Sequence, residues 1–251
     1  MEAVSALERE RTVARLEKQV AKWFRWQGRL VVGKLGRLRK YFTESTTSDI
    51  DSMIDDALSV TVNDGKKFFS GGLLDGYTAG YADLENSLNL QKAFSLPHPE
   101  AVKWAEKHAA IDVAEVNKTT KKHIRNLIQY GLDEGESYSS VARSIKNQFE
   151  QFAVGSPLEH IASRAELVAV TEMGNAYEAG ARTLVDEIQA TGIDMEKRRG
   201  GPSDERTSDA CLGDLDDGWI PADRAFSSGI MDGLEHPGCR HNTQYRVSRE
   251  G

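Results

Sequence analysis

No stretch of this chain approaches the roughly 18 consecutive apolar residues that a membrane span requires. The opening MEAVSALERERTV also lacks the apolar run of a secretory signal, so a soluble, non-exported protein is the expectation. Cysteine is scarce: Cys211 and Cys239 are the only two, too few for a disulfide scaffold, and without a secretion signal they are expected to stay reduced. Positive charge is outnumbered, 32 Lys and Arg against 39 Asp and Glu for a net charge of −7, which argues against a protein that coats nucleic acid. Phosphate loops, dinucleotide fingerprints and nucleophile motifs are missing, and with them the usual linear marks of an enzyme. No internal repeat of fixed period or low-complexity tract stands out.

What is present is unevenly spread. The chain has 251 residues, 39% of them hydrophobic, enough for one sizeable core or two small ones. Residues 1–42 hold 11 Lys and Arg against 4 Asp and Glu, whereas the remainder holds 21 against 35. That basic head reads as one amphipathic helix: Val13, Leu16, Val20, Trp23, Phe24, Leu30, Val31, Leu35 and Leu38 recur every three or four residues. Gly28, Gly33 and Gly36 weaken its second half. Its cations and indoles, Lys22, Trp23, Arg25, Trp26, Arg29, Lys34, Arg37, Arg39 and Lys40, are candidates for contact with an acidic partner or with DNA phosphates. A basic face that simply meets water is the plainer alternative, with Glu8, Glu10 and Glu17 pairing along the helix.

Residues 43–114 form a second helical region. TESTTS (Thr43–Ser48) is a linker or a cluster of N-cap residues, and Ile50, Ile54, Ala57 and Leu58 resume a helical pattern. Tyr77, Tyr81 and Leu84 keep helical spacing through a glycine-rich stretch. SLPHPEA then breaks the chain, leaving His98 between two prolines as ordinary surface chemistry. Beyond it, Ile124, Leu127 and Ile128 run to a stop at Gly131. Val141, Ile145 and Phe149 follow behind the N-cap candidate Ser137, making a helical hairpin. Ser156-Pro157-Leu158-Glu159 has the cap hydroxyl, N1 proline and N3 glutamate of a helix start, and the helix it opens is expected to span about 156–190. Its alanines and Gly180 point to close packing against a neighbouring helix. After Gly192 the periodicity ends, and short strands fit better at IDMEKR and TQYRV, with at most one helical turn at Thr207–Leu212. The fold class expected is α+β and mostly helical, an N-terminal helical region followed by a small loop-rich α+β unit.

The most reactive group of side chains is EHPGCRHN, Glu235 to Asn242. Cys211, His236, Cys239 and His241 offer two thiolates and two imidazoles, the donors zinc prefers. Cys211, however, has no partner two to four residues away, and a hydrogen-bonded structural turn accounts for the same residues without a metal. Arg240 suits bracing, since its planar guanidinium can tie carbonyls or pair with Asp204 or Glu205. Arg164 and Glu172, two helical turns apart, are candidates for the same role. Catalysis would cast Glu172 as a general base beside His236.

Three separated motifs carry a family resemblance: RAELVAVTEMGNAYEAG (Arg164–Gly180), DERTSDACLGDLDDG (Asp204–Gly218) and HPGCRHN. Together with the VNKTTKKHIRNLIQYGLDEGESYSSVARSI hairpin, residues 115 to about 247 resemble the C-terminal region of phage Mu F-like minor head proteins. The family pattern has cysteines where this chain has Ser208 and His241, and often an arginine at Val170. Arg206, in the second of these segments, is a further bracing candidate. The resemblance implies a phage structural protein, not an enzyme, carried in the virion inside the capsid or at its portal vertex. Its partners would be the portal protein, viral double-stranded DNA and other head proteins, and it would serve head morphogenesis, DNA packaging or ejection. No cofactor is expected from it, with zinc the open possibility at the Cys/His cluster. Two other readings compete. One is a metal-dependent nuclease or toxin-like enzyme on the C-terminal unit, drawing a carboxylate from Asp204, Asp209 or Asp214. The other is a DNA-binding accessory factor acting through residues 1–42.

Overall fold

The computed structural model describes residues 2–39, 42–90, 99–154 and 163–248. Lys40, His98 and the Ser156–Glu159 helix-start motif lie outside them. Among the described residues the chain is mostly helical, with one three-stranded antiparallel sheet, which is the α+β class expected. The helices are α1 (Glu2–Leu35), α2 (Thr47–Ser59), α3 (Val62–Ser87), α4 (Pro99–Asp133), α5 (Tyr138–Val154), α6 (Arg164–Gln189) and α7 (Asp209–Asp216). The strands are β1 (Met195–Gly200), β2 (Ile220–Pro221) and β3 (Asn242–Val247).

Two compact units are each assembled from segments distant in sequence. One comprises Met1–Val13, Gly71–Ala105 and Val170–Gly251; the other comprises Ala14–Ser70 and Glu106–Ala169. The division expected at residue 115 falls inside the continuous helix α4, because Val113 and Val116 are both core positions on one helical stripe and nothing there interrupts it.

The second unit is all helix. The basic head is no detached arm: Leu16, Val20, Trp23, Phe24, Val31 and Leu35 are buried, as are Ile54, Phe69, Ile124, Ile145 and Phe149 from the other helices of the unit. Trp23 meets Phe68 and Phe69 edge-on with ring centroids 5.7 and 6.0 Å away. Gly28 leaves room for Phe149, whose Cβ would sit 2.7 Å from a methyl placed there, so this glycine serves packing more than it weakens α1. Helix α2 begins on a capping box in which Thr46 and Asp49 satisfy each other's backbone N–H groups, and the TESTTS cluster thus supplies a cap. The chain breaks again at Thr61. Its carbonyl accepts from Trp23 Nε1 at 3.2 Å, and its hydroxyl accepts from Gln27 Nε2 at 3.1 Å. The hairpin of α4 and α5 closes where Gly135 adopts φ +66°, a conformation glycine takes without strain. Ser137 Oγ then accepts from Ser140 N at 3.2 Å. Helix α4 runs through Gly131 to Asp133, beyond the expected stop.

In the first unit, α3 crosses α6 at near backbone contact. A Cβ on Gly80 would lie 1.8 Å from the Tyr177 carbonyl oxygen, and one on Gly180 would lie 1.8 Å from that of Tyr77. Tyrosines lock the crossing on both sides, with Tyr77 Oη 2.6 Å from Thr183 Oγ1, Tyr81 donating to Glu187 at 2.7 Å and Tyr177 donating to Asp83 at 2.5 Å. Helix α6 is described from Arg164, where Ser163 Oγ accepts from Glu166 N at 3.0 Å. Strand β1 is central, paired with β2 at Lys197↔Ile220 and with β3 from Met195↔Val247 to Gly200↔Asn242. Met195 and Tyr245 pack into a core with Tyr81, Leu84, Leu184, Val185 and Ile188. Replacing Gly80 or Gly180 by Ala is expected to cost more than about 3 kcal/mol, because backbone cannot yield to a methyl. Gly71→Ala, at a helical site with nothing within 4 Å, should stabilise by roughly 0.5–1 kcal/mol; urea denaturation of the three variants distinguishes the effects.

Candidate functional site

From Val170 onward, the segments that carry the resemblance lie in the sheet-bearing unit. Helix α6 presents Thr171, Asn175 and Glu178 at spacings of four and three, hence on one face. Each accepts a loop or strand N–H: Thr171 Oγ1 from Gly238 at 3.0 Å, Asn175 Oδ1 from Leu234 at 3.2 Å, and Glu178 Oε1 from Thr243 at 3.0 Å. These are the fastening residues that sequence reasoning missed, although the polar stripe among alanines was a usable signal. Glu172, expected to brace, is half-buried beside them.

The terminal motif owes its shape to a turn. Cys239 N donates to the His236 carbonyl at 3.0 Å, with Pro237 second in the turn and Gly238 third at φ +72°. Proline followed by a positive-φ glycine is the type II pattern. From the other side, Ser208 caps α7 by accepting from Cys211 N at 3.3 Å, which gives the serine at a family cysteine position its own structural task. The helix runs to Asp216, longer than the single turn expected, and holds Cys211 in the interior. Cys211 Sγ lies 3.7 Å from Cys239 Sγ and 3.6 Å from His236 Nε2, while Cys239 Sγ lies 3.4 Å from His241 Nδ1. The ligand atoms of Cys211, His236 and Cys239 all lie within 4.8 Å of one another, and they are the residues that could hold a metal ion. Both cysteines are buried and free; His236 is exposed and His241 buried. Burial pushes the Cys211 thiol up, against the Ser208 hydrogen bond, and the neighbouring Cys239 adds to the rise. A protonated, enclosed thiol is the opposite of an activated nucleophile.

Arg240 forms a two-pronged pair with Asp204, at 2.9 and 2.5 Å, and holds that carboxyl well below the usual carboxylate range. Arg206 approaches the same carboxylate at 3.9 Å. Arg164 belongs to the helical unit. It donates to Thr120 Oγ1 at 3.0 Å and to the Val116 carbonyl at 3.2 Å, and its guanidinium sits 4.9 and 4.5 Å from the Phe24 and Phe152 ring centroids. Burial pushes it down to about 10, still a cation at neutral pH, with aromatic faces as counterpart. Arg164 thus ties the start of α6 to α4.

Sequence reading missed a second centre. Lys197 and Arg199 alternate inward from β1, the cationic inverse of a usual strand face. Arg199 and Asp214 form an ion pair at 3.4 Å with both side chains 0% exposed. Arg199 also donates to the Gly233 carbonyl at 2.9 Å and Thr243 Oγ1 at 3.1 Å, and Asp214 accepts from Ser228 N at 2.9 Å. Phe226 covers Arg199 and Lys197 with centroids 4.5 and 4.9 Å away. Burial pushes the Lys197 ammonium down, against the attraction of Asp232.

The basic face of α1 is narrower than its sequence suggests. Trp23 is interior. Arg25 is tied to Glu150 at 2.7 Å and Lys34 to Asp56 at 2.7 Å, and Arg39 lies 5.7 Å from the Tyr138 ring centroid. Lys22, Arg29 and Arg37 remain exposed, with Trp26 half-buried between the first two. Comparison with family models, with curated proteins and with solved structures found no match.

Two predictions follow from these charges. Asp214→Ala should cost about 3–5 kcal/mol by stranding a buried guanidinium, whereas joint replacement of Arg199 by Met and Asp214 by Leu should recover most of it; chemical denaturation gives both values. The hydrogen bonds from Arg25 and Lys34 lower the Glu150 and Asp56 carboxyls. Their stabilisation is therefore full above the unfolded values of about 4.3 and 3.9 and is lost as pH falls through the folded ones. Denaturation midpoints of an Arg25→Met/Lys34→Met variant should show a flatter acid limb than the parent, and added salt should narrow the difference.

Proposed function

We propose that this chain is a phage minor head protein of the Mu F-like type, a non-enzymatic virion component at the capsid interior or portal vertex. By the resemblance, it binds the portal and assists head morphogenesis and DNA packaging or ejection. The observation that carries this reading is where the motif residues are spent. Ser208 caps a helix, Asp204 holds Arg240, and the α6 motif fastens the terminal turn and β3 through Thr171 and Glu178. Side chains committed to tying segments together serve a scaffold. Two carboxylates that a metal-dependent nuclease could draw on are likewise engaged, Asp204 with Arg240 and Asp214 in the interior with Arg199.

The contact surface proposed for the portal, or for viral double-stranded DNA, is the exposed face of α1 with Lys22 and Arg29 on either side of Trp26, continued by Arg37 in the turn after it. Charge complementarity there would steer docking, and the indole would add apolar area. Removing residues 1–42 is no clean test, because α1 supplies core of the helical unit. Lys22→Glu/Arg29→Glu/Arg37→Glu leaves that core intact. On co-expression with the portal protein of the same phage genome, the parent chain should co-purify with it and the triple variant should lose at least tenfold in capture. Steeply salt-dependent shifts of duplex DNA that vanish in the variant would identify DNA as the partner. Plasmid cleavage in magnesium or manganese would overturn the non-enzymatic reading.

A further inference from the structure

We infer that Cys211, His236, Cys239 and His241 form a structural zinc site with a two-sulfur, two-nitrogen ligand set. The inference rests on the cluster's geometry and is independent of the head-protein reading.

Ligand separations are the first support. Zinc held at ~2.3 Å from sulfur and ~2.0–2.1 Å from nitrogen in a tetrahedron sets edges of about 3.8 Å between sulfurs and about 3.6 Å between sulfur and nitrogen. The chain places the two Sγ atoms 3.7 Å apart, Cys211 Sγ 3.6 Å from His236 Nε2, and Cys239 Sγ 3.4 Å from His241 Nδ1. A disulfide would need the sulfurs at ~2.05 Å, so these contacts match edges of a coordination polyhedron and not a bond. The ligand atoms of Cys211, His236 and Cys239 already lie within 4.8 Å of one another, whereas His241 stands outside that group, beside Cys239, and has to turn inward to complete the set.

Tautomers are the second support, and they arise from different groups. A carbonyl can only accept, so the ring nitrogen facing one must carry the proton. His236 Nδ1 lies 3.1 Å from the Pro237 carbonyl oxygen, and His241 Nε2 lies 2.8 Å from that of Pro202. Each neutral imidazole is thereby left with its lone pair on the other nitrogen, His236 Nε2 and His241 Nδ1, and these are the two atoms that face the sulfurs. Metal-bound histidines are characteristically oriented by such an outer hydrogen bond. Gly201 makes room for one of them: a Cβ there would meet His241 Cδ2 at 2.5 Å.

Charge and access agree. Two thiols each release a proton on binding and so neutralise a divalent ion, leaving no net charge among buried sulfurs. Sulfur with imidazole in tetrahedral array selects zinc among common divalent metals. His236 is exposed and gives the ion a way in, while four protein ligands leave no open position for chemistry. Cys211 lacks a partner close in sequence, and the fold supplies one by setting α7 against the His236–Cys239 turn.

The test uses the full chain, expressed with zinc present and purified under reducing conditions without chelator. Elemental analysis should find about one zinc per chain. X-ray absorption at the zinc edge should show two sulfurs and two nitrogens in the first shell, and cobalt(II) added to chelator-stripped protein should give the absorption of a tetrahedral thiolate site. Cys239→Ser should lose the zinc. His236→Ala, at an exposed position where the fold is retained, should release zinc to a chelating dye at a concentration at least tenfold lower. His241→Ala should do likewise; unchanged retention in that variant would overturn the fourth ligand. Metal-free protein with two titratable thiols that does not take up zinc on dialysis, or a mass showing Cys211 and Cys239 oxidised to a disulfide, would overturn the site.

Discussion

Helices α3 and α6 touch at Gly80 and Gly180 with no space for a methyl group, and the sheet-bearing unit depends on that contact. Helix α6 supplies the acceptors that fix the terminal loops, so its position on α3 determines where Thr171, Asn175 and Glu178 stand. Those three residues in turn fix Gly238, Leu234 and Thr243. Gly238 lies in the His236–Cys239 turn, so the crossing and the Cys/His cluster are joined by one hydrogen-bonded residue. A close backbone crossing is stiff because interiors are packed like crystals. The cluster inherits that stiffness instead of having to generate it within a loop.

Apolar burial of Met195 and Tyr245 covers one part of the small sheet, and buried charge fills another. The sheet has three strands, one of only two residues, and its central strand turns Lys197 and Arg199 inward. Asp214 on α7, Thr243 on β3, and the Phe226 ring and Gly233 carbonyl of the loop between β2 and β3 surround Arg199, so its desolvation is offset by partners on three separate segments. A buried ion pair adds little net stability over an apolar pair of the same shape but is costly to break. It therefore acts on uniqueness: a loop-rich chain can satisfy Arg199 in few arrangements. On the outer side Trp219 lies between Arg198 and Arg246, with centroid distances of 4.8 and 4.1 Å, covering the strand by the same use of aromatic faces.

Much of the helical architecture was legible because it is local. The α1 stripe, the Thr46 cap, the Ser137 cap and the two longer strands follow from spacing and from side chains that bond their own neighbours. Gly180 correctly signalled a close helix contact. The units were not legible, since Ala14–Ser70 joins Glu106–Ala169 through contacts distant in sequence. The basic head offered contact residues for a partner, yet the stripe that marks a docking helix is the same stripe that marks a core helix; the neighbouring segments decide between them. Arg164 and Glu172 shared a helical face on paper, but Arg164 is taken by Thr120, Val116 and two aromatic rings.

Sequence alone determined which segments are helices, where the proline and glycine of the terminal turn must stand, and which four side chains offer sulfur or imidazole. These properties depend on dihedral preference and on neighbours three or four residues apart. Only the tertiary structure decided that Cys211 meets Cys239 across 28 positions, that Asp214 enters the interior to meet Arg199, and that the His241 ring meets the Pro202 carbonyl. Pairings of that kind depend on how packed elements orient distant backbone, which no local pattern encodes.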